Sequence, residues 1–292
     1  MINPLHIRTF VILLIAFSVA GCASGMPESQ LPTLATVATT ATIPSNTATL
    51  QNTATPPPPT ATPEPVPTDN PGPLLCSPLD GVALEDLPGI ISSPFEPATP
   101  GQDNGHHGVD FAFYRYGDRV GITGTAIHAV IAGTTVMTLD DKWPYGYVIV
   151  IETPLDELPE AWLAGLQIPS PIATVAPGIS SLTLPPLTAT PAWDDTQRSL
   201  YLLYAHMNEP AVHVRGDEIA CGEVLGYVGN TGRSSAPHLH VEMRVGPSNL
   251  SMTSMAHYDN GATPEEMYNY YTWRVSGLFQ VFDTMNLLVQ KP

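Results

Sequence analysis

The segment SSAPHLHVEMR, residues 234–244, alternates polar and apolar side chains as a β-strand does. Successive side chains of a strand point to opposite faces, so His238 and His240 share one face while Leu239 and Val241 point toward the core. Two imidazoles therefore converge on one spot. An HxH pair alone is more often incidental than catalytic, so the rest of the chain decides its meaning.

Short apolar or alternating runs continue this pattern upstream: AIHAVIAGTTVMTL (126–139), GYVIVIE (146–152) and SLYLLYAH (199–206). Gly, Pro and Asp-rich turns separate them, which predicts a mainly β protein built from antiparallel strands. In the third run we expect Leu202, Tyr204 and His206 to share a face, which places a third imidazole at a strand end. TPEEMYNYYTWRVSGLFQVF (263–282), with Thr263 as N-cap candidate, predicts a C-terminal helix.

Two adjacent histidines precede an aspartate in GQDNGHHGVDFAFYR, residues 101–115. At the end of a strand, His106 or His107 and Asp110 could face a shared metal site. The alternative is that the histidines are polar loop residues and Asp110 caps a turn. Chance is a poor explanation for three such motifs in a chain with only nine histidines: an HxxxD, a strand that ends in His and an HxH.

The motifs SPF, HHGVDFA, GTAIHAVIAGTTV, GYVIVIE, LYAHM, VRGDEIACGEVLGYVGNTG and APHLHVEMR follow one another between about Pro94 and Val245. In this order they resemble the catalytic domain of lysostaphin-type, or LytM-like, zinc endopeptidases, which cut peptidoglycan peptides. The resemblance implies an antiparallel β-sheet or β-sandwich domain of the barrel-sandwich hybrid type.

The resemblance also assigns roles to five residues. His106, Asp110 and His240 match the metal ligands, and His206 and His238 match two catalytic histidines that do not bind the metal. Spacing alone leaves open whether His107 replaces His106, and it does not divide the roles of the two catalytic histidines. His128, His213 and His257 match no catalytic position.

Two imidazoles and one carboxylate suit Zn²⁺ and leave a coordination position for water, so we expect one zinc ion per domain. The implied function is a zinc-dependent endopeptidase that cleaves peptidoglycan stem or cross-bridge peptides with metal-activated water. An alternative is a catalytically idle LytM-like scaffold that activates a wall amidase, but the intact ligand set argues against it. A biotinyl or lipoyl carrier needs a lysine at its hairpin tip, and the only lysines are Lys142 and Lys291.

The N-terminus, MINPLHIRTFVILLIAFSVAGCAS, has one basic residue before an apolar run that is short for a membrane span, which is typical of an export signal. VAGC resembles the lipobox of bacterial lipoproteins, in which Cys22 becomes a lipid-bearing N-terminus. The alternative is an ordinary signal with a stray cysteine. We therefore expect an exported protein, lipid-anchored to the outer face of the cell membrane.

The predicted organisation has five parts. They are a lipoprotein signal peptide (1–21), a Thr/Pro-rich disordered tether (22–73), a LytM-like domain (74–256), a Pro/Thr-rich insertion within it (153–198) and a C-terminal helical extension (257–292). We expect the insertion to control access to the cleft and not to support the fold. Whether it inhibits the site or selects substrates stays open.

Cysteine count and charge complete the expectations. With Cys22 assigned to lipid, Cys76 and Cys221 remain in an oxidising compartment, and we expect them to pair; the alternative is two unpaired thiols.

The 27 acidic residues outnumber the 10 basic ones, for a formal net charge of -17, which argues against nucleic acid as a partner. We expect a monomer whose partners are peptidoglycan peptides and, through Cys22, the membrane.

Overall fold

The computed structural model describes residues 75–186 and 193–290. The predicted signal peptide and tether, residues 1–21 and 22–73, lie outside this range. Within it, no helix is long and apolar enough to cross a bilayer.

The described residues form twelve strands, and the predicted mainly β, antiparallel class is confirmed. In chain order they are β1 (Ile91–Ser93), β2 (Gly108–Phe111), β3 (Arg115–Tyr116), β4 (Arg119–Val120), β5 (Ala126–His128), β6 (Gly133–Lys142), β7 (Gly146–Pro154), β8 (Arg198–Met207), β9 (Glu218–Ile219), β10 (Val224–Tyr227), β11 (Leu239–Pro247) and β12 (Gln280–Phe282). The main sheet has the order β1-β2-β11-β8-β7-β6-β9, with β12 pairing with β11. β5 pairs with β10, and β3 with β4, in two separate two-stranded ribbons.

The main sheet is buried on both faces, as the alternation of β8 shows. Leu200, Leu202 and Tyr204 belong to one hydrophobic cluster, whereas Tyr201 and Leu203 belong to another. The β5–β10 ribbon covers the first face. Because both faces are covered, β8 and β11 are apolar or buried along almost their whole length.

The second face is covered by the predicted C-terminal helix, α2 (Pro264–Arg274). Thr263 caps it as expected, and its side chain and that of Glu266 form a reciprocal capping box. The extension holds more than this helix, because β12 adds a strand to the main sheet and α3 (Met285–Leu288) follows. The C-terminal region is therefore integrated into the sheet.

Cys76 and Cys221 form a disulfide, with their Cα atoms 5.8 Å apart, so the predicted pairing is confirmed. The bond ties the start of the described chain to the turn that precedes β10. It closes a loop of 145 residues, which limits the conformations open to the unfolded chain.

Part of the insertion between β7 and β8 supports the fold, contrary to the expectation that the insertion does not. Leu158, Trp162 and Leu166 are buried in the first hydrophobic cluster, and α1 (Glu160–Gly165) packs beside α3. The error arose because Pro and Thr dominate the segment and hide a short run of apolar residues at helical spacing. This part of the insertion supports the fold, whereas its later residues run beside the loop at 101–103.

Candidate metal centre

Strand pairing brings the predicted metal ligands together. β11 lies between β2 and β8, and His240 stands directly opposite Asp110 in the register of β11 and β2. His240 Nδ1 lies 2.7 Å from Asp110 Oδ1. His106, in the loop before β2, places its Nε2 3.1 Å from the same oxygen and 3.3 Å from His240 Nδ1. One nitrogen of each histidine and one carboxylate oxygen thus face a common point.

Contacts from behind fix both imidazoles. His106 Nδ1 donates to the Pro94 carbonyl at 2.7 Å, and His240 Nε2 donates to Glu242 Oε1 at 3.2 Å. Each bond leaves the other ring nitrogen as the lone-pair donor that faces the common point. Gly108 makes room for this packing, because a Cβ there would lie 2.7 Å from His240 Cε1.

His107 lies away from this point. It is fully buried, accepts a hydrogen bond from Arg244 Nη2 at 2.7 Å and donates from Nε2 to the Asn104 carbonyl at 3.0 Å. Burial and then the positive charge of Arg244 lower its pKa to about 3, so this imidazole is neutral. Both of its nitrogens are occupied, and the geometry brings His106, not His107, to Asp110 and His240.

His206 reaches the cluster by a route that the strand pattern does not predict. Between Tyr147↔Met207 and Ile149↔Tyr204, β8 has one residue more than β7, so the register shifts there. His206 lies in this bulge with a φ of 61°. The expectation that His206 shares a face with Leu202 and Tyr204 was therefore wrong: the bulge turns its side chain to the opposite face, toward His238.

His206 and His238 stand beside the three-residue cluster, with ring centroids 4.7 Å apart. His206 Nδ1 donates to the Thr231 carbonyl and His238 Nδ1 to the Ala236 carbonyl, each at 2.8 Å. In both rings Nε2 is thus left as a proton acceptor, and His238 Nε2 lies 3.5 Å from Asp110 Oδ1. Burial, followed by the neighbouring His240 and His238, lowers the pKa of His206 to about 3.

The donor set fits a zinc ion. Bonds of ~2.0–2.1 Å in a tetrahedral centre separate neighbouring ligand atoms by roughly 3.3 Å. The distances from His106 Nε2 to Asp110 Oδ1 and His240 Nδ1 are 3.1 and 3.3 Å, and the distance between Asp110 Oδ1 and His240 Nδ1 is shorter, 2.7 Å. His206, His238 and His240 form a second group whose nitrogens lie within 4.8 Å of one another. The first group is favoured because it includes a carboxylate, which offers a negatively charged ligand to the ion.

The charge around His240 also suits a cation. Burial opposes the charge of Asp110, but the close contacts of its carboxyl with His106 and His240 hold the pKa of that carboxyl well below the usual range. Burial likewise opposes a charge on His240, yet the carboxylates of Asp110 and Glu242 raise its pKa to about 9. An imidazole between two carboxylates attracts positive charge, which a divalent ion would supply at this point.

The cluster opens into a cleft of about 470 Å³ whose walls include Tyr145, Arg233, Tyr258, Tyr270 and Arg274. Sequence reasoning missed these wall residues and also the buried Glu242. A signal for Glu242 was available, because it lies two residues beyond His240 and so faces the same side of β11. The wall residues gave no local signal, because they come from separate loops and from α2.

His128, His213 and His257 lie outside the cluster. His213 donates to the Val224 carbonyl at 2.9 Å and lies near Asp217 and Glu223. His257 stacks on Tyr270 with ring centroids 5.4 Å apart. None of the three occurs in either group of possible metal ligands within residues 75–186 and 193–290.

Comparison with known proteins gives a local match. The DD-carboxypeptidase/endopeptidase Mpg of Neisseria meningitidis and of Neisseria gonorrhoeae is 44% identical over 57 residues, which are 18% of this chain and 12% of those relatives. The chain thus spans a small part of the curated relatives it matches.

Solved structures of similar fold include the catalytic domain of the antimicrobial peptidase lysostaphin from Staphylococcus simulans. It is 20% identical, with 58% of this chain and 89% of that chain covered and a TM-score of 0.32. A mutant catalytic domain of the prophage-encoded M23 protein EnpA from Enterococcus faecalis is 18% identical, with 65% and 98% covered and a TM-score of 0.32. Residues 194–252, which contain His206, His238 and His240, match the model of Peptidase family M23.

Proposed function

We propose that the protein is a zinc-dependent endopeptidase that cleaves peptide bonds of cell-wall peptidoglycan. The observation that carries this proposal is the convergence of His106 Nε2, Asp110 Oδ1 and His240 Nδ1 beside two further histidines at the floor of a cleft. The match of residues 194–252 to Peptidase family M23 supports this proposal, as does the 44% sequence identity over 57 residues to a DD-carboxypeptidase/endopeptidase. A scaffold without catalysis would not need this set of oriented donors.

In this proposal His106, Asp110 and His240 hold one Zn²⁺, which when bound would supply a Lewis acid toward a carbonyl oxygen and a water. His206 and His238 each keep Nε2 as a proton acceptor, because their Nδ1 atoms donate to backbone carbonyls. One of them accepts a proton from the attacking water at Nε2. The other stabilises the charge that develops on the scissile carbonyl oxygen, which requires a proton on its Nε2 and hence the imidazolium form of that ring. The neutral state of His206, with its proton on Nδ1, suits the role of proton acceptor.

The remaining parts of the proposal concern location. The disulfide and the absence of a membrane-spanning helix among the described residues fit an exported protein. We place it at the outer face of the cell membrane, anchored through a lipid on Cys22, as a monomer acting on wall peptides.

Digestion of purified peptidoglycan tests the function. The zinc-loaded protein should release new amino termini from sacculi, and chelation followed by added zinc should abolish and restore the release. Asp110→Ala, prepared in the same way, is the matched control. Release that is equal in the wild type and this variant would contradict the proposal.

A further inference from the structure

Behind His240 lies a fully buried carboxylate with an unusual number of partners. Glu242 Oε1 accepts from His240 Nε2 at 3.2 Å and from the Tyr145 hydroxyl at 2.7 Å. Oε2 accepts from Arg244 Nε at 2.9 Å. A buried carboxylate is costly unless its oxygens are paired, so these partners determine where it sits. Its position in turn determines the orientation of the His240 ring.

Two further partners of Glu242 come from α2, outside the segment that matches Peptidase family M23. Trp273 Nε1 donates to Oε2 at 3.2 Å, and Arg274 Nη1 donates to Oε1 at 3.4 Å. Trp273 is fully buried, and its ring stacks beside the Arg244 guanidinium, 5.0 Å from the ring centroid. The end of α2 thus completes the surroundings of the carboxylate.

Arg274 also connects Glu242 to the cleft wall. Its Nε pairs with Asp103, in the loop that leads to His106, and its Nη1 donates to the Tyr145 hydroxyl at 3.2 Å. Asp103 in turn accepts from the Tyr258 and Tyr270 hydroxyls at 2.8 and 2.9 Å. One guanidinium therefore spans two carboxylates, one behind His240 and one in the wall beside His106.

We propose that Trp273 and Arg274 are positioning residues of the metal centre, which act on His240 through Glu242, so that the C-terminal helix is a working part of the site. This inference rests on the proposed function, because it concerns the metal centre proposed there. Groups that orient a metal-bound imidazole typically affect metal affinity or activity by ~10–100-fold. We expect effects of that size from residues that do not themselves touch the ion.

Zinc affinity, measured by competition with a chromogenic chelator, tests the inference. We expect Arg274→Met and Trp273→Phe to weaken zinc binding by ~10–100-fold. Tyr271→Phe is the matched control, since it removes a hydroxyl donor on the same helix that bonds to the Val175 carbonyl and not to the site. The absorption spectrum of the Co²⁺-substituted protein should change in the first two variants and stay as in the wild type in the third.

A double variant distinguishes positioning from general loosening of the fold. If Arg274 acts through Glu242, Arg274→Met should weaken zinc binding far less in a Glu242→Gln background than in the wild type. The same factor in both backgrounds would overturn the inference. If Arg274→Met does not fold, Arg274→Lys takes its place, because one ammonium cannot span Asp103 and Glu242.

The outcomes separate the two proposals. A wild-type protein that binds no zinc contradicts the proposed function. A wild type that binds zinc tightly, with Arg274→Met and Trp273→Phe binding it equally tightly, leaves that function intact and overturns the role of the helix.

Discussion

Asp110 and His240 stand directly opposite each other on β2 and β11, with Oδ1 and Nδ1 only 2.7 Å apart. Residues 130 positions apart in the chain are thereby held in contact by backbone hydrogen bonds of the sheet. Because the sheet is covered on both faces, this pair cannot separate without disrupting the core. The proposed metal centre is therefore built on a rigid part of the molecule, and only His106 enters it from a loop.

This pairing predicts that Asp110→Ala loses zinc while it keeps the fold. The substitution removes one of three proposed ligands, and the fold is kept because the pairing of β2 with β1 and β11 is made by the backbone. Metal analysis of the dialysed protein should give about one zinc per chain for the wild type and far less for the variant. Equal zinc in both would mean that Asp110 is not a ligand.

For His206 and His238 we predict retained zinc and lost turnover. His206→Ala and His238→Ala should keep the metal content of the wild type, because the proposed ligands stay in place. Peptide cleavage should fall by ~10²–10⁴-fold, which is the usual contribution of general acid–base groups. Both quantities are measured on the same preparation.

Loss of zinc in either variant would assign the ligands differently, to the group of His206, His238 and His240. The comparison of metal content with turnover therefore distinguishes the two candidate ligand sets.

Much of this site was predictable from local pattern, and the rest depends on long-range structure. The shared face of His238 and His240 follows from alternation along one strand. The pairing of Asp110 with His106 came from the family resemblance, because spacing alone left His107 open. The orientation of His206 could not be predicted locally, because it depends on a bulge set by the pairing of β8 with β7. The partners of Glu242 could not be predicted either, since Trp273 is 31 residues away and contacts Glu242 only when α2 packs on the sheet.

The fold shows the same division. Alternating runs correctly predict the strands, and the cap at Thr263 correctly predicts α2. The placement of Trp162 in the core was missed because Pro and Thr dominate the insertion, and because a helix of six residues such as α1 is not stable without packing partners.

The disulfide should contribute strongly to stability. The double variant Cys76→Ser/Cys221→Ser should lower the free energy of unfolding by ~2–5 kcal/mol, because it releases a long closed loop in the unfolded chain. Urea unfolding of the variant and of the reduced wild type should give similar midpoints. A variant as stable as the oxidised wild type would show that the disulfide contributes nothing to the free energy of unfolding.

The lowered pKa of Glu266 predicts that the folded protein loses stability in acid. Burial opposes its charge, but hydrogen bonds from the Thr263 backbone and then from Lys142 and Ser254 lower its pKa from 4.5 to about 2. Between these values the unfolded chain binds more protons than the folded one, so stability falls as the pH drops from 4.5 toward 2. Glu266→Gln keeps the capping pattern but cannot ionise, and at pH 6 it should cost on the order of 1–2 kcal/mol.

The difference between the wild type and Glu266→Gln should shrink as the pH is lowered through this window, as measured by urea unfolding at a series of pH values. Glu265→Gln, in the same helical turn and exposed, is the control and should leave the pH dependence unchanged. A constant difference between wild type and Glu266→Gln at all pH values would contradict the prediction.

The insertion should divide into a part that supports the fold and a part that affects the cleft. Trp162 packs in the hydrophobic cluster on the face of the sheet opposite the histidines, so Trp162→Ala should cost ~3–5 kcal/mol of stability and leave turnover per folded molecule unchanged.

Ser181 accepts a hydrogen bond from the backbone amide of Asp103 at 2.8 Å, and Asp103 lines the cleft. Ser181→Ala should therefore cost only ~1 kcal/mol but raise KM for peptides, since the wall beside His106 loses a support. Urea unfolding and steady-state kinetics on both variants measure these effects. If Trp162→Ala unfolds at the wild-type midpoint, the insertion does not support the fold. If Ser181→Ala leaves KM unchanged, its later residues have no influence on substrate binding.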